Sequence, residues 1–142
     1  MKTLLKTIYF LVFLGFTMQS QAQTKEETIS WLKEKLGKYA EGPNSFTNIT
    51  LQRINECEIV FSYVYGGGQW LQILPTSIAG LTNDGAFTYT ADLAADRKQG
   101  GEAKFNNVSF IKIGNREENI RPRVEKALKH LATFCPKKQE AF

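Results

Sequence analysis

Hydrophobic residues recur at steps of three and four along residues 24–39, TKEETISWLKEKLGKY. This spacing places them on one face of an amphipathic helix, and the face comprises Ile29, Leu32, Leu36 and Tyr39. Thr24 and Glu27 have the spacing of a capping box, so the helix is expected to begin there. Gly37 is expected to end it as a left-handed cap. The stripe indicates packing on the protein's own sheet, although a helix that binds a partner or a membrane surface has the same pattern.

From residue 46 onward the hydrophobic period changes to two, which is typical of β-strands. Residues 46–51 predict a first strand, and the alternation from Cys57 to Tyr65 predicts a second, after a turn at residues 55–56. The glycines at residues 66–68 supply the positive φ angles of a tight connection. QWLQILP then returns as a third strand that ends at Pro75. These segments predict an antiparallel meander.

Turn signals continue the meander toward the C-terminus. The turns are TNDG at residues 82–85 and KQGG at residues 98–101, and the strands are AFTYTAD and VSFIKI, the latter at residues 108–113. Residues 93–105 fit either a strand or a helix, so the pattern leaves their conformation open.

The segment NIRPRVEKALKHLATFC predicts a second amphipathic helix. Asn119 is the expected N-cap, and Pro122 falls in the first turn, where its missing N–H costs little. The apolar stripe consists of Val124, Leu128, Leu131 and Cys135. Together the elements predict an α+β fold. It has an N-terminal helix, an antiparallel meander of about five to seven strands, and a C-terminal amphipathic helix that packs on the sheet or closes a barrel end.

The start of the chain has the three-part layout of a secretory signal peptide. Two lysines precede an apolar run over residues 8–16, and Ser20 and Ala22 form a small-x-small cleavage site. Cleavage is expected after Ala22, which leaves residues 23–142 as a single domain. The apolar run is shorter than the roughly 20 residues of a transmembrane helix, and no cysteine lies near the cleavage site to carry a lipid anchor. An exported, soluble protein of the periplasm or the exterior is therefore expected, with no transmembrane segment after cleavage.

The charge balance argues against a nucleic-acid partner. The formal net charge is +4, from 18 basic and 14 acidic residues, and two of the lysines belong to the predicted signal peptide. The remaining basic residues are interleaved with acidic ones, whereas a phosphate-binding surface concentrates them on one face.

Two cysteines and a single histidine limit the possible chemistry. His130 and Cys135 are five positions apart, so their side chains would diverge by about 140° around a helix and would not form a nucleophilic pair. Cys57 and Cys135 both lie on predicted apolar faces, which suits a disulfide in an oxidising compartment. Two buried free thiols are the alternative. One histidine and two separated cysteines also do not make a zinc ligand set.

The acidic residues offer two candidate pairs for carboxylate-based hydrolysis, Glu56 with Glu58 and Asp92 with Asp96. Such chemistry needs two carboxyl groups across a cleft, and the sequence assigns neither pair to one. The glycine run at residues 66–68 lacks the Lys-Ser/Thr ending of a phosphate loop and precedes a predicted strand. No catalytic residue, metal ligand or cofactor is therefore predicted.

Aromatic side chains are the remaining candidates for a binding surface. Five of them lie on or near predicted strand ends: Tyr63, Tyr65, Trp70, Phe87 and Tyr89. Such rings can line the rim of an apolar pocket or a partner patch, and they also form ordinary hydrophobic cores. The patch is the candidate site, with the core as the alternative.

Four stretches together resemble uncharacterised small secreted proteins common in Bacteroidetes: the Ser-Gln-Ala-Gln signal end, TKEETISWLKEKL, INECEIVF and VEKALKHLATFC. The resemblance spans most of the mature chain and brings no catalytic residues with it. A meander followed by a C-terminal amphipathic helix is also similar to the pleckstrin-homology-like architecture. That likeness is one of topology, which does not carry function.

The first functional hypothesis is a non-enzymatic, exported binding module whose partner is an unknown protein or a small apolar ligand. A carboxylate-based extracellular hydrolase is the first alternative. The second alternative is a protein inhibitor of an envelope enzyme, which would need a protruding loop such as residues 66–69.

Overall fold

The computed structural model describes residues 23–91, 94–98 and 101–136. The predicted signal peptide and Asp92 lie outside the described residues. The described chain begins with helix α1 (Lys25–Tyr39) and ends with helix α2 (Ile120–Ala132). Between the helices the described residues form nine strands: β1 (Ala40–Glu41), β2 (Thr47–Ile54), β3 (Glu58–Tyr65), β4 (Gly68–Pro75), β5 (Gly80–Leu81), β6 (Ala86–Thr88), β7 (Ala94–Lys98), β8 (Ala103–Asn106) and β9 (Val108–Ile113).

Helix α1 begins at the predicted capping box. The backbone N–H of Glu27 donates to Thr24 Oγ1 (3.2 Å), and the N–H of Thr24 donates to Glu27 Oε2 (3.0 Å). The prediction that Gly37 ends the helix was wrong, because the helix continues to Tyr39. Tyr39 is buried, and the chain then passes directly into β1 through Ala40, an extended C-cap.

The strands form two antiparallel sheets. One has five strands in the order β2-β3-β4-β7-β8, which confirms the predicted antiparallel meander, and the other has four in the order β1-β9-β6-β5. Residues 94–97 pair with residues 103–106, so the described part of the segment that the sequence left open forms two antiparallel strands. Over the described residues the two sheets do not form a closed barrel.

One hydrophobic core joins both helices and both sheets. Burying a large aliphatic or aromatic side chain contributes roughly 1.5–3 kcal/mol. The larger hydrophobic residues with no exposed surface come from both helices and both sheets: Leu32, Leu36, Ile59, Phe61, Leu74, Phe87, Ile111, Ile113, Ile120, Val124, Leu128 and Leu131.

Helix α2 presents the predicted stripe of Val124, Leu128 and Leu131 to this core. Asn119 occupies the N-cap position, but the predicted side-chain cap was wrong. Its backbone is left-handed (φ 55°) and its side chain makes no capping hydrogen bond. Cys135 lies beyond the helix end, so it is not a helical member of the stripe as predicted.

Candidate functional site

The tip of the β3–β4 hairpin brings three aromatic rings together. Gly66 and Gly67 form its two-residue turn with φ angles of 58° and 73°, and mirror-image hairpin turns of this kind require such angles. Tyr63 pairs directly with Trp70 across the two strands, and Tyr65 lies two residues further along β3 on the same face. The predicted patch residues Tyr63, Tyr65 and Trp70 are therefore neighbours.

Phe46 and Phe110 complete a cluster that the sequence did not predict. Phe46 stacks on Tyr63 with ring centroids 4.2 Å apart, and it contacts Phe110 at 6.0 Å. Tyr63 and Trp70 are nearly parallel, with centroids 6.5 Å apart. Tyr65 is 48% exposed and Phe110 is 46% exposed. We call Phe46, Tyr63, Tyr65, Trp70 and Phe110 the aromatic face.

Phe87 and Tyr89, the other two rings of the predicted patch, lie in the hydrophobic core. Phe87 is fully buried on β6. Tyr89 is also buried, and its hydroxyl donates to the carbonyl oxygen of Pro75 (3.1 Å). Tyr63 is equally buried (3% exposed) but stacks on Phe46 in the aromatic face, whereas Phe87 and Tyr89 are members of the hydrophobic core.

A buried carboxylate lies beneath the aromatic face. Asp96 is 3% exposed and accepts hydrogen bonds from Tyr63 Oη (3.2 Å), Gln72 Nε2 (2.8 Å) and Asn106 Nδ2 (3.2 Å). Burial raises the pKa of Asp96 despite these three donors. Burial and the neighbouring Asp96 also raise the pKa of Tyr63. The site therefore keeps the Tyr63 hydroxyl protonated as a donor.

Gln72 connects this network to the second sheet. Its Oε1 accepts a hydrogen bond from the backbone N–H of Ile111 (3.0 Å) on β9, and Phe110 is the preceding residue. The two strands that carry Tyr63 and Phe110 are thus tied together through buried polar groups, which fixes the relative positions of their rings.

The candidate acidic pairs have separate partners. Glu56 lies 3.8 Å from Lys25 Nζ, and Glu58 lies 2.5 Å from Arg53 Nη2. The carboxylate of Asp96 accepts hydrogen bonds from the three donors described above. Each described acid of the two pairs thus has a structural partner of its own.

Cys57 and Cys135 form the predicted disulfide, with an S–S distance of 2.02 Å. The bond ties the start of β3 to the residues after α2. His130 has other partners: its Nε2 lies 2.8 Å from the carbonyl oxygen of Gln23, and its ring packs edge-on against Phe134. His130 and Cys135 therefore have separate partners.

A second surface feature lies between the helices, and the sequence did not predict it. This interhelical groove has a volume of about 500 Å³ and is lined by Gln23, Trp31, Arg123, Lys126, Ala127 and His130. Trp31 is a large apolar residue outside the predicted apolar stripe of α1. Its position off the stripe is the one sequence feature that could have indicated the groove. The guanidinium carbon of Arg123 lies 5.3 Å from the centre of the Trp31 ring, within the range of a cation–π contact.

Glu117 holds Arg123 in place. Its Oε1 accepts from Arg123 Nη1 (2.6 Å), while its Oε2 accepts from Tyr39 Oη (2.6 Å) and Lys35 Nζ (3.2 Å). These hydrogen bonds, that of Tyr39 first, lower the pKa of Glu117 to about 2. One carboxylate is therefore shared by two cations at the edge of the groove.

Within the described ranges, no helix is long and apolar enough to cross a bilayer, and no group of three or more His, Cys, Asp or Glu residues is arranged to hold a metal ion. Comparison with protein-family models, curated proteins and solved structures finds no match for this chain. The fold and the chemistry of these two surfaces are thus the basis for any functional proposal.

Proposed function

We propose that the protein is a non-enzymatic, exported binding module that docks a second protein on its aromatic face. The observation that carries this proposal is the half-exposure of Tyr65 and Phe110 within a contiguous cluster of five rings. Tyrosine, tryptophan and phenylalanine are enriched at protein interfaces, where a few such residues supply most of the binding energy.

The arrangement of the rings favours a protein over a small apolar ligand. Small-molecule sites are concave, and none of the five rings lines either of two grooves found in the described residues, one between the helices and one formed by Lys33, Gly37 and residues 49–54. The rings of Phe46 and Tyr63 stack on each other and so leave no slot between them for a guest. A pre-ordered, open aromatic surface instead suits a protein partner, because little side-chain entropy remains to be lost on docking.

The disulfide supports the export part of the proposal. Such bonds persist in oxidising compartments and are rare in the cytosol, and the Cys57–Cys135 bond agrees with the predicted signal peptide in this respect.

The two alternatives have weaker support. A hydrolase would need a carboxylate pair across a cleft, and Glu56 and Glu58 are neutralised by separate cations. An inhibitor would need a protruding loop, but the β3–β4 connection is a two-residue turn of Gly66 and Gly67, which have no side chains to insert.

Site-specific photocrosslinking tests the proposal. Benzoylphenylalanine is placed at position 65 or 110, and at position 134 as the control, in the producing cell. Phe134 is a suitable control because it is 41% exposed and lies next to Cys135, which the disulfide ties to the opposite end of β3 from Tyr65. We expect one discrete adduct from positions 65 and 110 that is absent from position 134.

The captured protein is then identified, purified and titrated against defined variants. Tyr65→Ser with Phe110→Ser should weaken the affinity by about 30-fold, the effect of losing one 2 kcal/mol hot spot, while Phe134→Ser should leave it unchanged. Equal adducts at all three positions, no adduct, or equal affinity of both variants would refute the proposal.

A further inference from the structure

We propose that the interhelical groove binds a small organic anion that combines a carboxylate with a flat apolar group. This site is separate from the aromatic face and does not depend on the proposed protein partner. Its volume of about 500 Å³ falls within the range of roughly 300–1,000 Å³ that is usual for small-ligand sites.

The charge of the groove selects an anion. Arg123, Lys126 and His130 line it, and none of its lining residues is acidic. Lys126 takes part in no ion pair among the described residues. Glu117, the carboxylate that is bonded to Arg123, is already shared with Lys35. An incoming anion would therefore meet uncompensated positive charge.

Arg123 favours a carboxylate in particular. Its guanidinium uses Nη1 for Glu117, which leaves its other N–H groups available in the fork geometry that matches a planar carboxylate. The tie to Glu117 and the contact with Trp31 fix the guanidinium beforehand, so little side-chain entropy is lost when a ligand binds.

Trp31 and Ala127 supply the apolar part of the site. The indole of Trp31 is partly buried between the helices and carries Arg123 at 5.3 Å from its ring centre. A flat apolar group on the ligand can pack against the indole while its carboxylate faces the basic residues. Purely inorganic anions or neutral aromatic molecules would satisfy only one half of this site.

Heteronuclear NMR distinguishes this groove from the aromatic face, because the chain has two tryptophans. Trp31 reports the groove, and Trp70, whose Nε1 donates to the carbonyl oxygen of Tyr65, reports the aromatic face. The probes are phenylacetate, its neutral counterpart phenylacetamide, and acetate. We expect phenylacetate to shift the Trp31 indole signal in a saturable manner and to leave the Trp70 signal in place, with phenylacetamide and acetate each binding at least about tenfold more weakly.

Charge-removing variants complete the test. Lys126→Gln should weaken phenylacetate binding by about tenfold, since one charge-assisted contact is lost. Lys129→Gln is the matched control, because Lys129 lies on the same helix but pairs with Glu125 (2.6 Å) outside the groove lining. The proposal is overturned if phenylacetamide binds as well as phenylacetate, if both variants lose the same affinity, if Trp70 responds and Trp31 does not, or if no saturable shift is found.

Discussion

Tyr63 and Asp96 meet across strand β4, where the tyrosine hydroxyl donates to a carboxylate oxygen 3.2 Å away. Tyr63 is the buried member of the aromatic face, and like Asp96 it is only 3% exposed. The contact therefore links the buried base of the aromatic face to the interior of the sheet. A buried carboxylate is costly unless it is hydrogen-bonded, and the three donors around Asp96 offset that cost while fixing the ring of Tyr63.

The titration of Asp96 should give the protein a recognisable pH dependence. Burial raises the pKa of Asp96, so the folded chain binds this proton more tightly than the unfolded chain. The contribution of Asp96 to the free energy of unfolding is fully present below its unfolded pKa of about 3.9 and is lost as pH rises through the folded pKa.

Asp96→Asn removes this titration, so the wild type should lose stability relative to the variant as pH rises from about 3.5 to about 7. Urea unfolding at stepped pH values measures the difference in the free energy of unfolding. A flat difference would show that the three hydrogen bonds balance the burial of the charge, and a change in the opposite direction would show that they outweigh it.

Loss of the disulfide should destabilise the protein strongly. The bond joins residues with a sequence separation of 78, and the chain-entropy model gives a stabilisation of about 4.5 kcal/mol for a loop of this length. The double variant Cys57→Ala, Cys135→Ala should lose a comparable free energy of unfolding in urea. Wild type with reductant should behave in the same way. Titration of two free thiols in denatured, unreduced protein would contradict the bond itself.

Two glycines should respond to alanine in opposite directions. Gly85 has a φ of +94°, and an added Cβ would overlap the carbonyl oxygen of Ile113 and crowd Arg121 Nε. Arg121 donates to that same oxygen (2.7 Å) and to the carbonyls of Asn83 and Asp84. Gly85→Ala should therefore cost at least about 2 kcal/mol, measured as the free energy of unfolding in urea.

Gly37→Ala is the matched control, because Gly37 lies inside helix α1 and an added Cβ meets nothing within 4 Å. Alanine there should stabilise the protein by about 0.5–1 kcal/mol through the lower entropy of the unfolded chain. If alanine changed the free energy of unfolding by a similar amount at both positions, the positive φ and the crowding at Gly85 would not explain its effect.

Export should be accompanied by cleavage after Ala22. Ser20 and Ala22 provide the small side chains that a signal peptidase accepts, and two lysines and an apolar run precede them. Intact-mass measurement of the protein recovered outside the cytoplasm should give a chain that begins at Gln23. A mass that retains residues 1–22, or retention of the protein in the cytoplasm, would contradict the proposed localisation.

Local sequence patterns predicted most of the secondary structure, because helix caps and turns are formed by residues that are close together in the chain. The capping box of Thr24 and Glu27 and the turn at Gly66 and Gly67 each form within a few positions of the chain. The contact of Phe46 with Phe110 is different, because it depends on how two sheets pack. A period-two pattern identifies which residues share a face, but not whether that face is covered. For that reason the buried rings of Phe87 and Tyr89 could not be distinguished in the sequence from the exposed ring of Tyr65.

Glu117 should show the opposite pH dependence from Asp96. Hydrogen bonds from Tyr39, Lys35 and Arg123 lower its pKa from 4.5 to about 2, so its contribution to stability is present above the unfolded pKa and is lost as pH falls through the folded one. Glu117→Gln should therefore lower the free energy of unfolding at neutral pH, and this difference from wild type should shrink between pH 4.5 and about 2.

Glu118→Gln is the adjacent control for this measurement, because Glu118 is exposed and forms no ion pair among the described residues. It should leave the free energy of unfolding close to that of wild type across the same pH range, as expected for an exposed surface substitution. If Glu118→Gln lost as much stability as Glu117→Gln, general surface charge would explain the effect. In that case the network around Arg123 would not hold the groove residues in place, and the proposed anion site would lose its pre-ordered guanidinium.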